Sequence, residues 1–432
     1  MSPNPFLKYS AENSIVLGDL GSLSSSFVPE SFPHREGQID AIVKVLSSIM
    51  RNTRPSNIIL YGKTGTGKTS AANHVTRMLK EAAGDRVETL YFNCQIYDSP
   101  YSILVALANS IQDSTSGSVP QLGWPLDRIF QETMARLNRA RRFFVLVLDE
   151  IDKIVTKNGG DSLYVLLKLI DESGESKLSL IGITNDTGFL EFLDSRVRSR
   201  LNQESIFFPP YNATELIDII SFRIKGVVRP GSVEDSAINL CAAIGAQEHG
   251  DARKALDLMR IAIDIAVREG KQKVTEKEVY KARDKLEMDV IKEAIYTLPL
   301  QSKIVMLSAV VTQEQDTAMM TTGQIYENYR NICEEIGYPA LTSRRVSDLI
   351  SELEDFGLLS AMTKSMGRYG RTRLIRVVGD HTVIKNHLLE DENLAHFKGS
   401  KIPKQSKFEN LVEENRKISS LDDLFGAEPD KN

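Results

Sequence analysis

The hydrophobic positions of the chain change their spacing twice, and the changes divide it. Between residues 36 and 211 short apolar runs alternate with stretches of helical spacing. Ile39, Ile42, Val43, Leu46 and Ile49 predict a helix over residues 38–50. A strand over 58–61 and a helix to about residue 83 follow, then a strand over 89–93, helices over 101–111 and 126–140, and a continuous apolar strand over 143–148. A helix over 163–170, a strand over 178–184, a helix over 189–201 and a strand over 205–208 complete this part. Strands that alternate with helices predict an α/β domain, a parallel sheet covered on both faces. From 212 to 290 every segment has helical spacing (216–224, 236–246, 252–267 and 276–286), which predicts a second, all-helical domain. Leu298, Pro299 and Leu300 interrupt the pattern. The stretch 291–390 then reads as three helices (303–311, 323–335 and 342–356) and two strands (358–363 and 372–377) joined by a basic turn. Residues 1–35 read as a lead-in segment, and 391–432, polar and charge-rich after His396, as a disordered tail.

Composition narrows the class. A chain of 432 residues exceeds one core, so several domains are expected. Its 41% hydrophobic and 26% charged residues are those of a soluble globular protein, and no apolar run approaches the roughly 20 residues of a membrane span. The N-terminus lacks a basic region followed by an apolar core, so a cytoplasmic location is expected. Cys94, Cys241 and Cys333 are far apart, which argues against a disulfide scaffold or zinc site and for buried apolar roles. The net charge is −5, so any nucleic-acid contact requires locally concentrated positive charge.

The chemistry gathers at the ends of the predicted strands. After the strand over 58–61 come Gly62, Lys63, Thr64, Gly65, Thr66, Gly67, Lys68, Thr69 and Ser70, followed by a helix. Glycines there let successive N–H groups and the helix N-terminus point at a polyphosphate. Lys68 adds a point charge, and the Thr69 hydroxyl is a candidate Mg²⁺ ligand. The strand over 143–148 ends in Asp149 and Glu150, which places Asp149 beside the same Mg²⁺ and Glu150 where it can polarise a water that attacks the γ-phosphate. Asn185 ends the next strand, where an amide can orient that water. Arg196, Arg198 and Arg200 follow on a predicted helix, either as a solvated basic face or as a source of an arginine reaching a neighbouring subunit's γ-phosphate.

A phosphate loop, an Asp-Glu strand end, a polar strand-end residue and an arginine helix together resemble an AAA+ ATPase. Further motifs resemble the archaeal initiator branch, the family of origin recognition complex subunit one and cell division control protein six. These are Pro33-His34-Arg35-Glu36, Tyr91-Phe92-Asn93-Cys94 with Ser99-Pro100-Tyr101, Phe208-Pro209-Pro210-Tyr211, and Gly250-Asp251-Ala252-Arg253-Lys254-Ala255-Leu256. The resemblance spans about residues 6–380. It implies an AAA+ parallel sheet domain with a helical lid and a C-terminal winged-helix domain, ATP/ADP and Mg²⁺ as cofactors, and weak hydrolysis used as a switch. It further implies Asn185 as sensor one, Arg253 as sensor two, Arg200 as arginine finger, and Tyr211 and Arg223 as nucleotide contacts at the hinge. For Tyr211, core packing is an equally available reading. An insertion near residues 97–112 resembles the initiator element that touches DNA. The implied partners are double-stranded origin DNA and the replicative helicase, with no membrane, a nucleoid-associated location and self-association on DNA left open. The short lead-in suits an archaeal protein better than a eukaryotic subunit.

Three helices and a hairpin match the winged-helix pattern. Val346, Leu349, Ile350 and Leu353 form the buried stripe of its third helix, which leaves Thr342, Ser343, Arg344 and Arg345 at the DNA-facing end. The hairpin adds Lys364, Arg368, Tyr369, Arg371, Arg373 and Arg376, suited to phosphate contact and minor-groove insertion. In the tail, Leu421, Leu424 and Phe425 resemble a sliding-clamp-binding peptide without its leading Gln. Two other function classes remain at this level: an ATP-controlled, sequence-specific transcription regulator, and a clamp-loader-type ATPase, which the basic wing disfavours.

Overall fold

The computed structural model describes residues 15–24, 27–111, 117–201, 203–314, 319–365 and 371–397. The chain divides into two compact units, one ending at Arg283 and one beginning at Asp284.

The first unit opens with helix α1 (Glu36–Leu46), extended by a 3₁₀ turn to Arg51, and continues through β1 (Ile58–Tyr61), α2 (Lys68–Ala83), β2 (Val87–Asn93), α3 (Pro100–Ser110) and α4 (Leu126–Ala140). Then come β3 (Phe143–Asp149), α5 (Asp152–Asn158), α6 (Ser162–Glu172), β4 (Lys177–Thr184), α7 (Ser195–Leu201) and β5 (Glu204–Phe207). The five strands form one sheet in the order β2-β3-β4-β1-β5, with every pairing parallel. Every residue of β3 is buried, which is why its sequence is a continuous apolar run and not an alternating one. Phe144, Leu146 and Leu148 pack into a core with helices α3, α4 and α6. Val145 and Val147 pack with Ile42, Leu46, Val75 and Leu79 of α1 and α2 on the opposite face.

Register aligns the strand ends that carry chemistry. Asn93 pairs with Asp149, Asp149 with Ile183, and Tyr61 with Thr184. β1 therefore delivers the phosphate loop beside the ends of its neighbours, at the carboxyl edge where open α/β sheets bind ligands.

The expected helix over 189–201 is instead two pieces, a 3₁₀ turn Phe189–Phe192 and α7. Asp194 separates them: its carboxylate accepts the N–H of Arg196 at 2.8 Å and starts a new helix. The segment read as a lead-in is also more than that. Val16 bridges Val228, Leu17 N–H donates to Val227 O at 2.8 Å, and Ile15 and Leu23 are buried.

Helices α8 (Ala213–Ile224), α9 (Asp235–Gln247), α10 (Ala252–Arg268) and α11 (Glu276–Thr297) follow the sheet. The last runs beyond its expected end until Leu298 and Pro299 stop it. Asn212 and Glu215 form a reciprocal capping box that starts α8.

The second unit contains α12 (Leu300–Glu314), β6 (Met320–Thr321), α13 (Thr322–Glu335), α14 (Ser343–Asp355), β7 (Leu359–Ser365), β8 (Arg371–Val377) and α15 (His381–Leu388). Its sheet has the order β6-β8-β7, antiparallel throughout. The two-residue β6 is too short to show a period, and α15 follows the hairpin unexpectedly, capped by Asp380. Arg368, Tyr369, Leu421, Leu424 and Phe425 lie outside the described residues. Cys94, Cys241 and Cys333 are buried and unpaired. Among the described residues no helix is long and apolar enough to cross a membrane.

Candidate functional site: a phosphate loop under a helical lid

β1 ends at Tyr61 and the chain turns at once, because Gly62 passes against Phe208, the residue after β5. A Cβ on Gly62 would lie 2.3 Å from the Phe208 carbonyl oxygen. Thr66 closes the turn by donating its hydroxyl to Lys63 O at 2.9 Å. Lys68, the first residue of α2, folds back onto the loop: its Nζ donates to the carbonyls of Gly62 at 2.8 Å and Lys63 at 2.6 Å. Burial, with the Arg253 cation nearby, lowers the Lys68 pKa to about 8 against the opposing pull of Asp149, Asp251 and Asp152. Lys63 and Thr64 are exposed, and Thr69 and Ser70 are half-buried.

The Thr69 hydroxyl donates to Asp149 Oδ2 at 2.8 Å. Asp149 Oδ1 accepts the N–H of Glu150 at 3.0 Å. Two hard oxygen donors held together at the foot of a phosphate loop are the donor set that Mg²⁺ takes when it also coordinates phosphate oxygens, so these residues fit that ion. Glu150 is held in the left-handed region, φ 57°, and its Oε2 is buried without a hydrogen-bond partner. A strained backbone and an unpaired carboxylate oxygen at one residue mark it as held for something other than stability. Asn185 follows β4 half-buried.

Tyr91, Thr184, Asp152 and Asp186 join this network, and the sequence alone assigned none of them a role. The Tyr91 hydroxyl donates to Asp149 Oδ2 at 2.8 Å, and burial together with that carboxylate raises its pKa. The Thr184 hydroxyl donates to Asp152 Oδ1 at 2.8 Å, and Asp186 N–H donates to Thr184 Oγ1 at 3.0 Å. Strand alternation was the available signal: Tyr91 lies two residues before Asn93, on the same face of β2.

The lid meets the loop directly. Ala252 N–H donates to Gly65 O at 3.2 Å. Asp251 caps α10 by accepting the N–H of Arg253 at 2.8 Å and of Lys254 at 3.4 Å. The same carboxylate lies over Gly65, where a Cβ would be 1.8 Å from Oδ1 and φ is +69°. Arg253 therefore starts a helix that rests on the loop. It lines a cleft with Gly65, Gly67, Ser70, Tyr211, Arg223 and Phe27.

Arg223 is 9% exposed and burial lowers its pKa. Its Nη2 donates to Ser24 O at 3.2 Å, its guanidinium lies 4.8 Å from the Phe27 ring, and its Nε has no partner. Tyr211 is buried, with its pKa raised to about 12 by burial and lowered in part by Arg35. The Arg35 guanidinium stacks 3.7 Å above the Tyr211 ring. Arg35 is 1% exposed and donates to the carbonyls of Thr66 at 3.0 Å, His34 at 2.9 Å and Pro209. It thus ties the loop to Tyr211; the sequence marked Arg35 only as part of the Pro33–Glu36 motif, because its hydrogen-bond acceptors are backbone carbonyls.

On α7, Arg200 lies 3.5 Å from Asp171 and 5.3 Å from the Tyr164 ring, so it rests on its own subunit. Arg196 pairs with Asp194. Arg198 is exposed.

In the second unit Thr342 caps α14, accepting the N–H of Arg345 at 3.4 Å. Thr342, Ser343, Arg344 and Arg345 are all exposed. Arg345 leans back along its helix toward Asp348 and Glu352, 3.8 Å from each. Arg344 has no ion pair among the described residues. Arg373, expected among the DNA-contacting residues of the hairpin, donates to Ser351 Oγ at 2.8 Å and pairs with Glu354. β7 carries Lys364 and β8 carries Arg371, while Arg376 is exposed.

The comparisons agree with this geometry. Family models match residues 51–186 as an AAA domain, 217–284 as a Cdc6 AAA+ ATPase-type lid domain, and 293–387 as the CDC6 C-terminal winged helix domain. The chain is 60% identical over 407 residues to an ORC1-type DNA replication protein of Thermoplasma volcanium, covering 94% of this chain and all of the relative. It is 45% identical over 358 residues to one from Pyrococcus abyssi, covering 82% of this chain and 85% of that one. The solved structure of the Aeropyrum pernix ORC1 protein in complex with DNA has a TM-score of 0.74 at 37% identity, covering 89% of this chain and 99% of that one. An AAA+ sheet domain, a Cdc6-type lid and a winged helix in one chain, with identity that runs nearly end to end, place it plainly: the chain belongs to the ORC1-type family of DNA replication proteins.

Proposed function

We propose that this chain is an ATP-dependent replication initiator that binds origin duplex DNA and promotes loading of the replicative helicase, with slow hydrolysis as a switch. The observation that carries the reading is the direct seat of the lid on the phosphate loop, Ala252 N–H to Gly65 O at 3.2 Å, with Arg253 lining the same cleft. A γ-phosphate in that cleft gives Arg253 a partner that ADP lacks, so the nucleotide state sets how firmly the lid is held.

In this reading the loop N–H groups and Lys68 hold the phosphates, and Lys68 exchanges its two backbone carbonyls for phosphate oxygens. Thr69 and Asp149 hold Mg²⁺, which when bound neutralises phosphate charge. Glu150 accepts a proton from the attacking water, and Asn185 orients that water. Tyr211 and Arg223 border the nucleotide at the hinge. Arg200 serves a neighbouring subunit by leaving Asp171, a half-exposed pair whose loss costs only about 0–1 kcal/mol. The winged unit contacts duplex through the start of α14 and the hairpin, as supported by the DNA complex of the Aeropyrum pernix relative.

The test is selection from a pool of genomic duplex fragments by the full chain with ATP, beside Lys68→Ala and Arg344→Ala variants. Enrichment of a few repeat-bearing intergenic fragments, lost in Arg344→Ala and weakened in Lys68→Ala, is expected. Enrichment spread over many promoters would replace this reading with an ATP-controlled transcription regulator, and salt-sensitive binding without selectivity would remove the initiator function.

A further inference from the structure

Asp149 is gripped from three directions, and one of the three donors belongs to no recognised nucleotide motif. Its Oδ2 accepts both the Thr69 and the Tyr91 hydroxyls at 2.8 Å, and its Oδ1 accepts the Glu150 N–H at 3.0 Å. A carboxylate has about four lone-pair positions. Three donors therefore fix both its plane and its rotamer and leave one direction for a further ligand. The Tyr91 donor comes from β2, an edge strand of the sheet, and the residue is 45% exposed. A tyrosine that only packed would not need its hydroxyl on this oxygen. Asp149 itself is 7% exposed, so without Tyr91 the carboxylate loses a partner that water at this depth replaces poorly.

We propose that Tyr91 is a positioning residue: through its hydroxyl it holds Asp149 in the orientation that, with Thr69, receives Mg²⁺, and so sets the affinity of the nucleotide site for the ion. The proposal rests on the nucleotide-site reading above. Outer donors that orient a metal-binding carboxylate typically change metal affinity 10–100-fold when removed. Because Tyr91 is half-exposed, the effect belongs at the lower end of that range.

The experiment uses the full chain and Tyr91→Phe, which keeps the ring and removes only the hydroxyl. Binding of a fluorescent ADP analogue is titrated in EDTA and then over a series of Mg²⁺ concentrations, with Thr69→Ala as the reference for loss of the ion's contribution. The expected result is a half-saturating Mg²⁺ concentration raised about 10-fold in Tyr91→Phe, with the affinity in EDTA within about twofold of wild type. A purely structural tie between β2 and β3 would lower thermal stability and leave the Mg²⁺ midpoint in place. A midpoint within twofold of wild type, or an equal loss of affinity in EDTA, overturns the proposal. If wild type binds the analogue without any Mg²⁺ dependence, the reading of the site itself fails, and the two failures are distinguishable.

Discussion

The contact between Gly65 and Asp251 joins the phosphate loop to the lid, and a double-mutant cycle measures it. Gly65→Ala carries two costs. Alanine in left-handed backbone, φ +69°, costs about 1 kcal/mol. The new Cβ would also lie 1.8 Å from Asp251 Oδ1 and 2.2 Å from its Cγ, so the carboxylate must abandon the N–H groups it caps on Arg253 and Lys254, for about 1 kcal/mol more. Gly65→Ala is therefore expected to destabilise by about 2 kcal/mol and Asp251→Ala by about 1 kcal/mol. In the double variant the cap is lost only once, so the total is about 2 kcal/mol and not 3, a coupling of about 1 kcal/mol. Trp124 is the single tryptophan of the chain and lies in the same compact unit. Denaturant unfolding followed by its fluorescence thus reads the unit that contains the contact. Additivity within about 0.3 kcal/mol would refute the reasoning, because it would mean that Asp251 does not cover Gly65 in solution.

Glu150→Gln is expected to slow ATP hydrolysis by about 100-fold or more while leaving nucleotide affinity within about twofold, as single-turnover kinetics beside equilibrium binding would show. Glu278 is 1% exposed; burial pushes its carboxyl up, but hydrogen bonds from Lys271 and Thr275 outweigh that and bring it from 4.5 to about 2. This contributes about 3 kcal/mol to lid stability above pH 4.5, lost as pH falls from 4.5 through 2, and Glu278→Gln is expected to remove that acid dependence in pH-resolved denaturation. On the winged unit, Arg344→Ala is expected to reduce the slope of log affinity against log salt by about 0.9 for duplex DNA. Arg373→Ala is expected to leave that slope unchanged and lower the stability of its own unit by about 1 kcal/mol, read by calorimetry.

What the sequence showed and what it hid differ in physical kind. The helices and strands were legible because burial of side chains imposes a period: β3 had to be continuously apolar once both faces were covered, and α14 had to repeat Val346, Leu349, Ile350 and Leu353 on its buried side. The phosphate loop was legible because its glycines answer to local backbone geometry. Where a contact depends on distant backbone, the letters are silent. Arg35 carries no mark that its guanidinium will reach the Thr66 and Pro209 carbonyls, 31 and 174 residues away. Tyr91 reads as one more β-strand aromatic until register sets Asn93 beside Asp149.

Four arginines of the chain occupy three different states. Arg344 is exposed and Arg345 leans on Asp348 and Glu352 of its own helix. Arg373 is a strut to Ser351 and Glu354, and Arg200 rests against Asp171 and Tyr164. Counting basic residues treats these four as equal contributors to an anionic partner. The phosphate-binding energy available from each differs by what it must first give up: no ion pair among the described residues for Arg344, weak exposed pairs for Arg345 and Arg200, and a hydrogen-bonded tie between β8 and α14 for Arg373. The fold, through the carboxylates it sets beside each guanidinium, decides which positive charges reach an outside ligand.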